Sequence, residues 1–382
     1  KITMRPRKVR VNKVIVSSRP CKCPVCASIE VVKHGKRSRI IYDIKFSVSG
    51  VKRWVVNYRN HRFICQTCRK TFYPSDHPET RERFGNGLVA WIVYQNIGLR
   101  QSQENVGKGL TDIFGLHFNW RSAIPVLKKR AARTYHDTYE EILSGIQGGH
   151  LVHVDETNVS VKGTTAYVWV FTNLEEVAYV YSATREGAIL EETLRGFHGV
   201  LVSDFFPVYE SIECEQQRCL VHLIRDLNDD LFKNPFDLEY KTFVQKFGEL
   251  LKPIIVTIDR FGLKRRFLSH HKKVVEKFFS DYVDCEGISE LTRKYQTRFS
   301  KNRNRLFTFL DHDGVPWNNN NAENAIKGFA TMRRVIGGTS TEAGLRGSLM
   351  LLSVCQTLRN KGCSSLDFFR SGHTSLKQYL ER

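Results

Sequence analysis

The chain has 382 residues, with 59 Lys and Arg against 39 Asp and Glu, a formal net charge of +20. That length permits two or three domains and at least one large core. So positive a field attracts polyanions, nucleic acid first and an anionic membrane second, while the absence of any apolar run near ~18 residues argues against a spanning helix. The opening residues are basic and polar, with no leader-like apolar segment. Ten cysteines are present, five of them before residue 70. Their uneven spacing does not match a small disulfide framework, which points to a reducing interior.

In chain order, residues 1–17 read as a basic arm. Residues 18–75 form a small domain with strand-like segments rich in Val, Tyr and Phe. Over residues 1–72 there are nineteen Lys or Arg and two acids, Glu30 and Asp43. Cys23-Pro-Val-Cys26 and Cys65-Gln-Thr-Cys68 are two CxxC knuckles. A two-residue gap lets both sulfurs of a knuckle face one ion, and four thiolates satisfy tetrahedral zinc. The expectation is a zinc ribbon holding one structural Zn²⁺ on Cys23, Cys26, Cys65 and Cys68, with Cys21 a spectator; two unrelated thiol pairs are the alternative. Lys36, Arg37, Arg39, Lys52, Arg53, Arg59 and Arg62 make this region a DNA surface.

Residues 76–85 read as a polar linker. Three helical patterns follow over 85–145: "NGLVAWIVYQNI", "SQENVGKGLTDIFG" with Ser102 as its cap and Gly115 at its end, and "RSAIPVLKKRAARTYHDTYEEILSG" with Ser122 as a cap and Pro125 in the first turn. This predicts a helix-turn-helix-like DNA-binding domain; a plain three-helix bundle fits the same pattern. Lys128, Lys129, Arg130 and Arg133 cluster on the third helix, either against phosphates or on an ordinary exposed face.

From residue 150 the period changes. "HLVHVDET", "TTAYVWVFTN", "VAYVYSA", "GVLVSDFF" and the start of "QQRCLVHLIRDL" read as strands, with a helix after the third. This is a mixed α/β domain over 148–222 and 308–362, interrupted by a helical block at 223–307 and followed by a tail at 363–382. Asp155 ends the first strand, Asp204 ends the fourth, and Glu323 begins a helix that buries Ala322, Ile326, Phe329 and Ala330. Three carboxylates gathered at one place repel one another and suit a hard dication, Mg²⁺ or Mn²⁺; two such ions support phosphoryl transfer. Taken singly, each acid also fits a cap or a solvated loop. Glu156 rivals Asp155, Asp311 and Asp313 rival Glu323, and Glu323 has Lys327 at i+4 as an ordinary helix pair.

The segments "HVDET", "VLVSDFFPVY", "QQRCLVHLIRDL" and "PWNNNNAENAIKGFATMRRVIGG" resemble insertion-sequence transposases of the DDE class, close to the IS66 group, with the related ISL3 group second. The resemblance covers about residues 150–362, and the front end is also similar. It implies a ribonuclease-H-like core with an all-helical insertion, a catalytic triad on Asp155, Asp204 and Glu323 holding two Mg²⁺ or Mn²⁺, and a Cys-x-x-His feature on Cys219 and His222. On the residues alone, His222 fits a hydrogen-bonded core position and Cys219 a small buried group. Pro316 and Trp317 can pin the loop before Glu323, while Asn318 to Asn321, Asn321 among them as a supporting residue, can cap the helix or contact phosphate. Lys327, Arg333 and Arg334 face phosphates near the site; a solvated charge pair is the alternative for the two arginines. The implied activity is DNA transposition in a prokaryotic cytoplasm, at the nucleoid. A dimer would bind terminal inverted repeats, cut, and join 3′-OH ends to target DNA. A zinc-ribbon regulator without catalysis and a structure-selective nuclease such as a junction resolvase are the alternatives.

Overall fold

The computed structural model describes residues 9–75, 82–336 and 341–382. The first half of the predicted basic arm and most of the predicted linker therefore lie outside the described residues. Two units emerge, Lys1–Tyr135 with Cys363–Arg382, and His136–Gly362.

In the first unit β1 (Lys13–Val16) runs parallel to one edge of β3 (Gly50–Cys65), while β2 (Val31–Ser47) pairs antiparallel along the other edge for nearly its whole length. β4 (Thr71–Phe72) adds a short antiparallel pair beside Phe63 and Ile64. The hairpin's cysteine end has its own small core of Val31 and Phe63 with Phe72 against them. Farther along, Asp43 organises the joint with α1 (Asn86–Val93): its Oδ1 accepts from the backbone N of Leu88 at 2.8 Å and of Ile44 at 2.9 Å. A carboxylate at a helix N-terminus satisfies otherwise orphaned donors, which is why one of the region's few acids is half-buried there.

α2 (Gln103–Asp112) is capped by Ser102, as its sequence predicts, with Ser102 Oγ accepting from Asn105 N at 3.1 Å. The third helical pattern differs from expectation. It divides into α3 (Trp120–Thr134) and α4 (His136–Gln147) where Tyr135 leaves helical geometry at φ −101° and ψ 19°. The cap of α3 is Asn119 rather than Ser122, whose backbone N donates to Asn119 Oδ1 at 3.4 Å. Starting the helix earlier places Pro125 in its second turn.

The second unit is built on a five-stranded sheet of order β7-β6-β5-β8-β9: β5 (Leu151–Val161), β6 (Thr164–Thr172), β7 (Val177–Ser182), β8 (Val200–Ser203) and β9 (Glu215–Arg218). β5, β6 and β7 are antiparallel neighbours; β8 runs parallel to β5 and β9 parallel to β8. α5 (Ala188–Thr193) lies in the connection from β7 to β8. The near-continuous burial of β6 explains its unbroken apolar run, since a strand covered on both faces has no polar side to show.

The predicted helical block consists of α6 (Leu220–Lys233), α7 (Leu238–Phe261), α8 (Arg265–Leu268), α9 (Lys272–Phe278), α10 (Glu290–Lys301) and α11 (Arg303–Leu306). An aromatic cluster centred on Phe299, with ring centroids 5.0 Å from Phe247 and 5.3 Å from Phe243, forms its middle. That cluster is continuous with Leu151, Val200 and Val202 of the sheet. α12 (Asn320–Ile336) packs on β5 and β6, and α13 (Glu342–Asn360) on β7. β7 is an edge strand, and α13 covers its free amides: Val177 N donates to Thr357 Oγ1 at 3.0 Å and Tyr179 N to Ser353 Oγ at 2.9 Å.

α14 (Ser365–Ser371) and α15 (Leu376–Leu380) lie in the segment expected as a separate tail. They belong instead to the first unit, where the Tyr135 ring sits 4.9 Å from that of Phe369 and its hydroxyl donates to Phe369 O at 3.2 Å.

α1 lies so close to β2 that a Cβ on Gly87 would stand 2.2 Å from the Ile44 carbonyl oxygen. Gly87→Ala should therefore destabilise the chain by about 1–3 kcal/mol through forced backbone shifts. Chemical denaturation read by circular dichroism measures this; an unchanged midpoint would contradict the close approach.

Candidate metal centres and catalytic site

The two CxxC knuckles fold alike. Ala27 N donates to Cys23 O and Arg69 N to Cys65 O, each at 3.0 Å, and Cys23 N and Cys65 N donate onward to Ser28 O and Lys70 O. The residue after each second cysteine, Ala27 at φ 58° and Arg69 at φ 56°, takes the left-handed conformation that closes the turn. This brings Cys23 Sγ within 3.7 Å of Cys68 Sγ and Cys26 Sγ within 3.6 Å of Cys65 Sγ, and all four sulfurs lie within 4.8 Å of one another. A tetrahedron with Zn–S bonds of about 2.3 Å has edges of about 3.8 Å, so the four thiols can hold one zinc. The backbone N–H of Cys68 lowers the Cys65 pKa, while Cys26, facing that sulfur, is raised by it, so thiols this close share negative charge among them. Cys21 is outside this group.

The acids are set by sheet register. His153 pairs with Val202 across the parallel β5–β8 contact. Two steps further along, Asp155 comes level with Asp204, just past the end of β8. Asp155 does not end its strand as expected: β5 continues to Val161 on its pairing with β6 alone. Asp155 Oδ1 accepts from Glu156 N at 2.8 Å, and Asp204 Oδ1 from Phe206 N at 2.9 Å. The second oxygen of each makes no hydrogen bond among the described residues. Glu323 sits in the first turn of α12; its Oε1 is buried with no hydrogen bond, and the nearest basic atom is His222 Nε2 at 3.7 Å. Burial is the main force raising the Asp155 pKa to about 7; the Glu156 N–H opposes it, and the charges of Glu156, Asp204 and Glu323 add to it. Among the described residues, only the four cysteines bring three or more ligand atoms mutually within 4.8 Å. The carboxylates thus share a field but do not close on a common point. Unshared oxygens, one of them orphaned, fit a hard dication.

The rivals are engaged elsewhere. Glu156, with its side chain 3% exposed, gives Oε1 to Arg185 and Oε2 to the Tyr209 hydroxyl at 2.6 Å. Asp311 pairs with Lys272 at 2.6 Å, and Asp313 Oδ1 accepts from Arg265 N at 2.7 Å.

The asparagine run has a more specific part than capping. Asn319 is fully buried; its Nδ2 donates to Val154 O at 2.8 Å, its Oδ1 meets His153 Nδ1 at 3.0 Å, and its backbone N meets Cys219 Sγ at 3.2 Å. Asn321 Nδ2 reaches His153 Nε2 at 3.2 Å, and Trp317 O accepts from Leu220 N at 2.9 Å. His153 and Asn319 were not singled out from the sequence, although the "HVD" and "NNNN" stretches contain them; a polar residue inside an apolar strand is the signal that marks His153. The buried Arg218, whose Nη1 donates to Ser203 Oγ at 2.7 Å and Asp204 O at 2.8 Å, was missed as well.

Residues 81–347 match the model of the Transposase IS66 family. The chain belongs to that family. No curated protein matches it.

The transposase's expected DNA contacts fall into two groups. Lys36, Arg37, Lys52, Lys129, Arg133, Lys327 and Arg334 are exposed, while Arg39 is half-buried. The others already have local duties or little exposure. Arg53 donates to Gly115 O and Arg10 O, Arg130 pairs with Glu82 at 2.6 Å, and Arg333 holds Thr157 and Asn158 at the far end of β5. Lys128 is 9% exposed, contrary to its expected place on a phosphate-facing surface, and burial lowers its pKa to about 8. No helix among the described residues is long and apolar enough to cross a membrane.

Native mass spectrometry should find one zinc per chain, lost on Cys65→Ser; a folded chain that carries no zinc would overturn this. A second test concerns Asp155. Folded protein holds the Asp155 proton from the ordinary carboxylate range up to about 7, whereas the unfolded chain does not. Protein in chelator therefore loses stability as pH rises through that window. Asp155→Asn should raise the denaturation midpoint at pH 8 but not at pH 4, and equal midpoints at pH 8 would contradict the burial of this carboxyl.

Proposed function

We propose that the chain is a DDE-class DNA transposase that binds the terminal inverted repeats of its element as a homodimer, cleaves DNA with two Mg²⁺ or Mn²⁺, and joins the 3′-OH ends to target DNA. The observation that supports this reading is the alignment of Asp155 with Asp204 by strand register, with Glu323 near enough for its charge to act on Asp155. Bound Mg²⁺ or Mn²⁺ supplies the Lewis acidity that activates water or a 3′-hydroxyl and stabilises the leaving oxygen. The chain's own part is positioning. One backbone N–H fixes each aspartate and leaves its other oxygen free, and His222 Nε2 lies 3.7 Å from Glu323 Oε1.

The 3-2-1-4-5 order of the sheet, three antiparallel strands followed by two parallel ones, supports a ribonuclease-H-like core over 148–222 and 308–362, with 223–307 as its insertion. The zinc ribbon of 18–75 and the helix-turn-helix-like segment of 85–145 serve DNA binding, with Lys129 and Arg133 of α3 exposed for phosphate contact. The whole acts at the nucleoid of a prokaryotic cytoplasm.

Asp155→Asn, Asp204→Asn and Glu323→Gln should each remove cleavage of a labelled duplex carrying the inverted repeats that bracket the gene, in Mg²⁺ or Mn²⁺, while end binding and its steep salt dependence persist. A joined product separates a transposase from a nuclease that only cuts, and no product at all fits a DNA-binding regulator. Full activity in any of the three variants would sink the assignment.

A further inference from the structure

We propose that Arg185 is a phosphate-binding residue of the reaction centre: Glu156 holds one edge of its guanidinium, and the remaining edge receives a non-bridging oxygen of the scissile phosphodiester beside Asp155 and Asp204. This rests on the catalytic reading above.

Arg185 precedes α5, in the loop that follows β7. Both its Nε, at 2.9 Å, and its Nη2 donate to Glu156 Oε1. Glu156 is itself fixed, since its other oxygen accepts from the Tyr209 hydroxyl. The guanidinium carbon lies 3.9 Å from the centre of the Phe206 ring. Phe206 in turn supplies the backbone N–H that pins Asp204 Oδ1. Tyr209 is wedged between aromatic rings, with Trp169 and Phe206 each at 6.1 Å and edge-on. The arginine is therefore clamped from one edge and one face by groups that also build the acid site.

What is left open is its chemistry. Arginine has five donors in a planar fork. Nη1 makes no hydrogen bond among the described residues, and the side chain is 46% exposed. A fork with one side satisfied and the other without a partner suits a second, planar pair of oxygens, and phosphate is the matching ligand. A loop tie alone would not need donors left unused on an exposed side chain. The charge balance points the same way. Asp155, Asp204 and Glu323 repel an incoming phosphodiester, and dications offset this only when bound. A fixed cation next to Asp204 favours the anionic substrate and the charge that builds on its non-bridging oxygens in the transition state. Glu156 gains a role as well: it is the carboxylate that orients this cation rather than a rival ligand.

The test uses the full-length protein, the inverted-repeat duplex and Mn²⁺, with cleavage measured at saturating DNA. Arg185→Gln should lower the rate on the order of 10²–10³-fold, with end binding near wild type and the denaturation midpoint lowered because Glu156 loses its cation, so cleavage is measured below that midpoint; Arg185→Lys should recover part of the loss. A duplex with an uncharged methylphosphonate at the scissile position should slow wild type strongly and Arg185→Gln far less, because the contact is already gone. The Glu156→Gln/Arg185→Gln pair removes both charges while keeping shape. If that pair restores the wild-type rate, or if Arg185→Gln alone cleaves within about threefold of wild type, Arg185 is only a loop tie and the inference is overturned while the transposase reading stands. If wild type itself fails to cleave, both fall.

Discussion

The second unit depends on one buried amide. Asn319 lies 166 residues from His153 in sequence and 100 from Cys219, yet it bonds to both. Its contacts also fix protonation. Because Nδ2 donates to Val154 O, Oδ1 must face His153, so Nδ1 of that histidine carries the proton and Nε2 is left to accept from Asn321. Burial holds the His153 pKa down to about 4, with the Asn319 bond opposing, so the ring is neutral and this tautomer is stable at physiological pH. A charged imidazole would present a donor at both nitrogens and break the pattern. The consequence is positional: α12 begins at the next residue, and Glu323 lies one turn into it. The helical block of 223–307 leaves and returns without shifting the third acid, because the return point is stitched to β5 and to the start of α6.

Some of the charges around this point are answered by neighbours and others are not. Arg218 lies under Asp204, bonded to its carbonyl oxygen rather than its carboxylate, so Asp204 keeps a free oxygen. Glu156 is answered by Arg185 and Tyr209. What remains uncompensated is Asp155 with its raised pKa and Glu323 with its orphaned oxygen. Unpaired buried carboxylate is costly, and a dication bound there, as proposed above, would offset that cost.

The succession of strands along the second unit was legible because period and composition change sharply at residue 150, and every predicted strand has a counterpart; the order of those strands in the sheet was not legible. The two cysteine knuckles were legible because ligand spacing is local. Tertiary choices were not. Nothing in the run 121–145 marks Tyr135 as a break, since its apolar stripe continues on both sides. The tail at 363–382 reads as an appendage because its partner, the aromatic group with Tyr135, is more than 200 residues away. Lys128 looks like its neighbours Lys129 and Arg130 in sequence, but helical phase turns it inward. In the asparagine run, composition showed that capping was available but not which amide would be buried. That depends on which strand the loop meets.

The two clusters of ligand-type residues differ in how closed they are. In the knuckles, sulfurs stand at tetrahedral spacing and each turn is closed on itself by backbone bonds, so a zinc there has no vacant position and nothing to react with. In the second unit Asp155 and Asp204 are each held through one oxygen by one backbone N–H, Glu323 Oε1 has no hydrogen bond, and the three do not close on a common point. Such a group has oxygens to give, which a closed tetrahedron lacks. The difference has a structural cause. β5 runs past the end of β8, so Asp155 has no parallel strand partner where Asp204 begins a turn, and neither carboxylate is drawn into the ladder of the sheet.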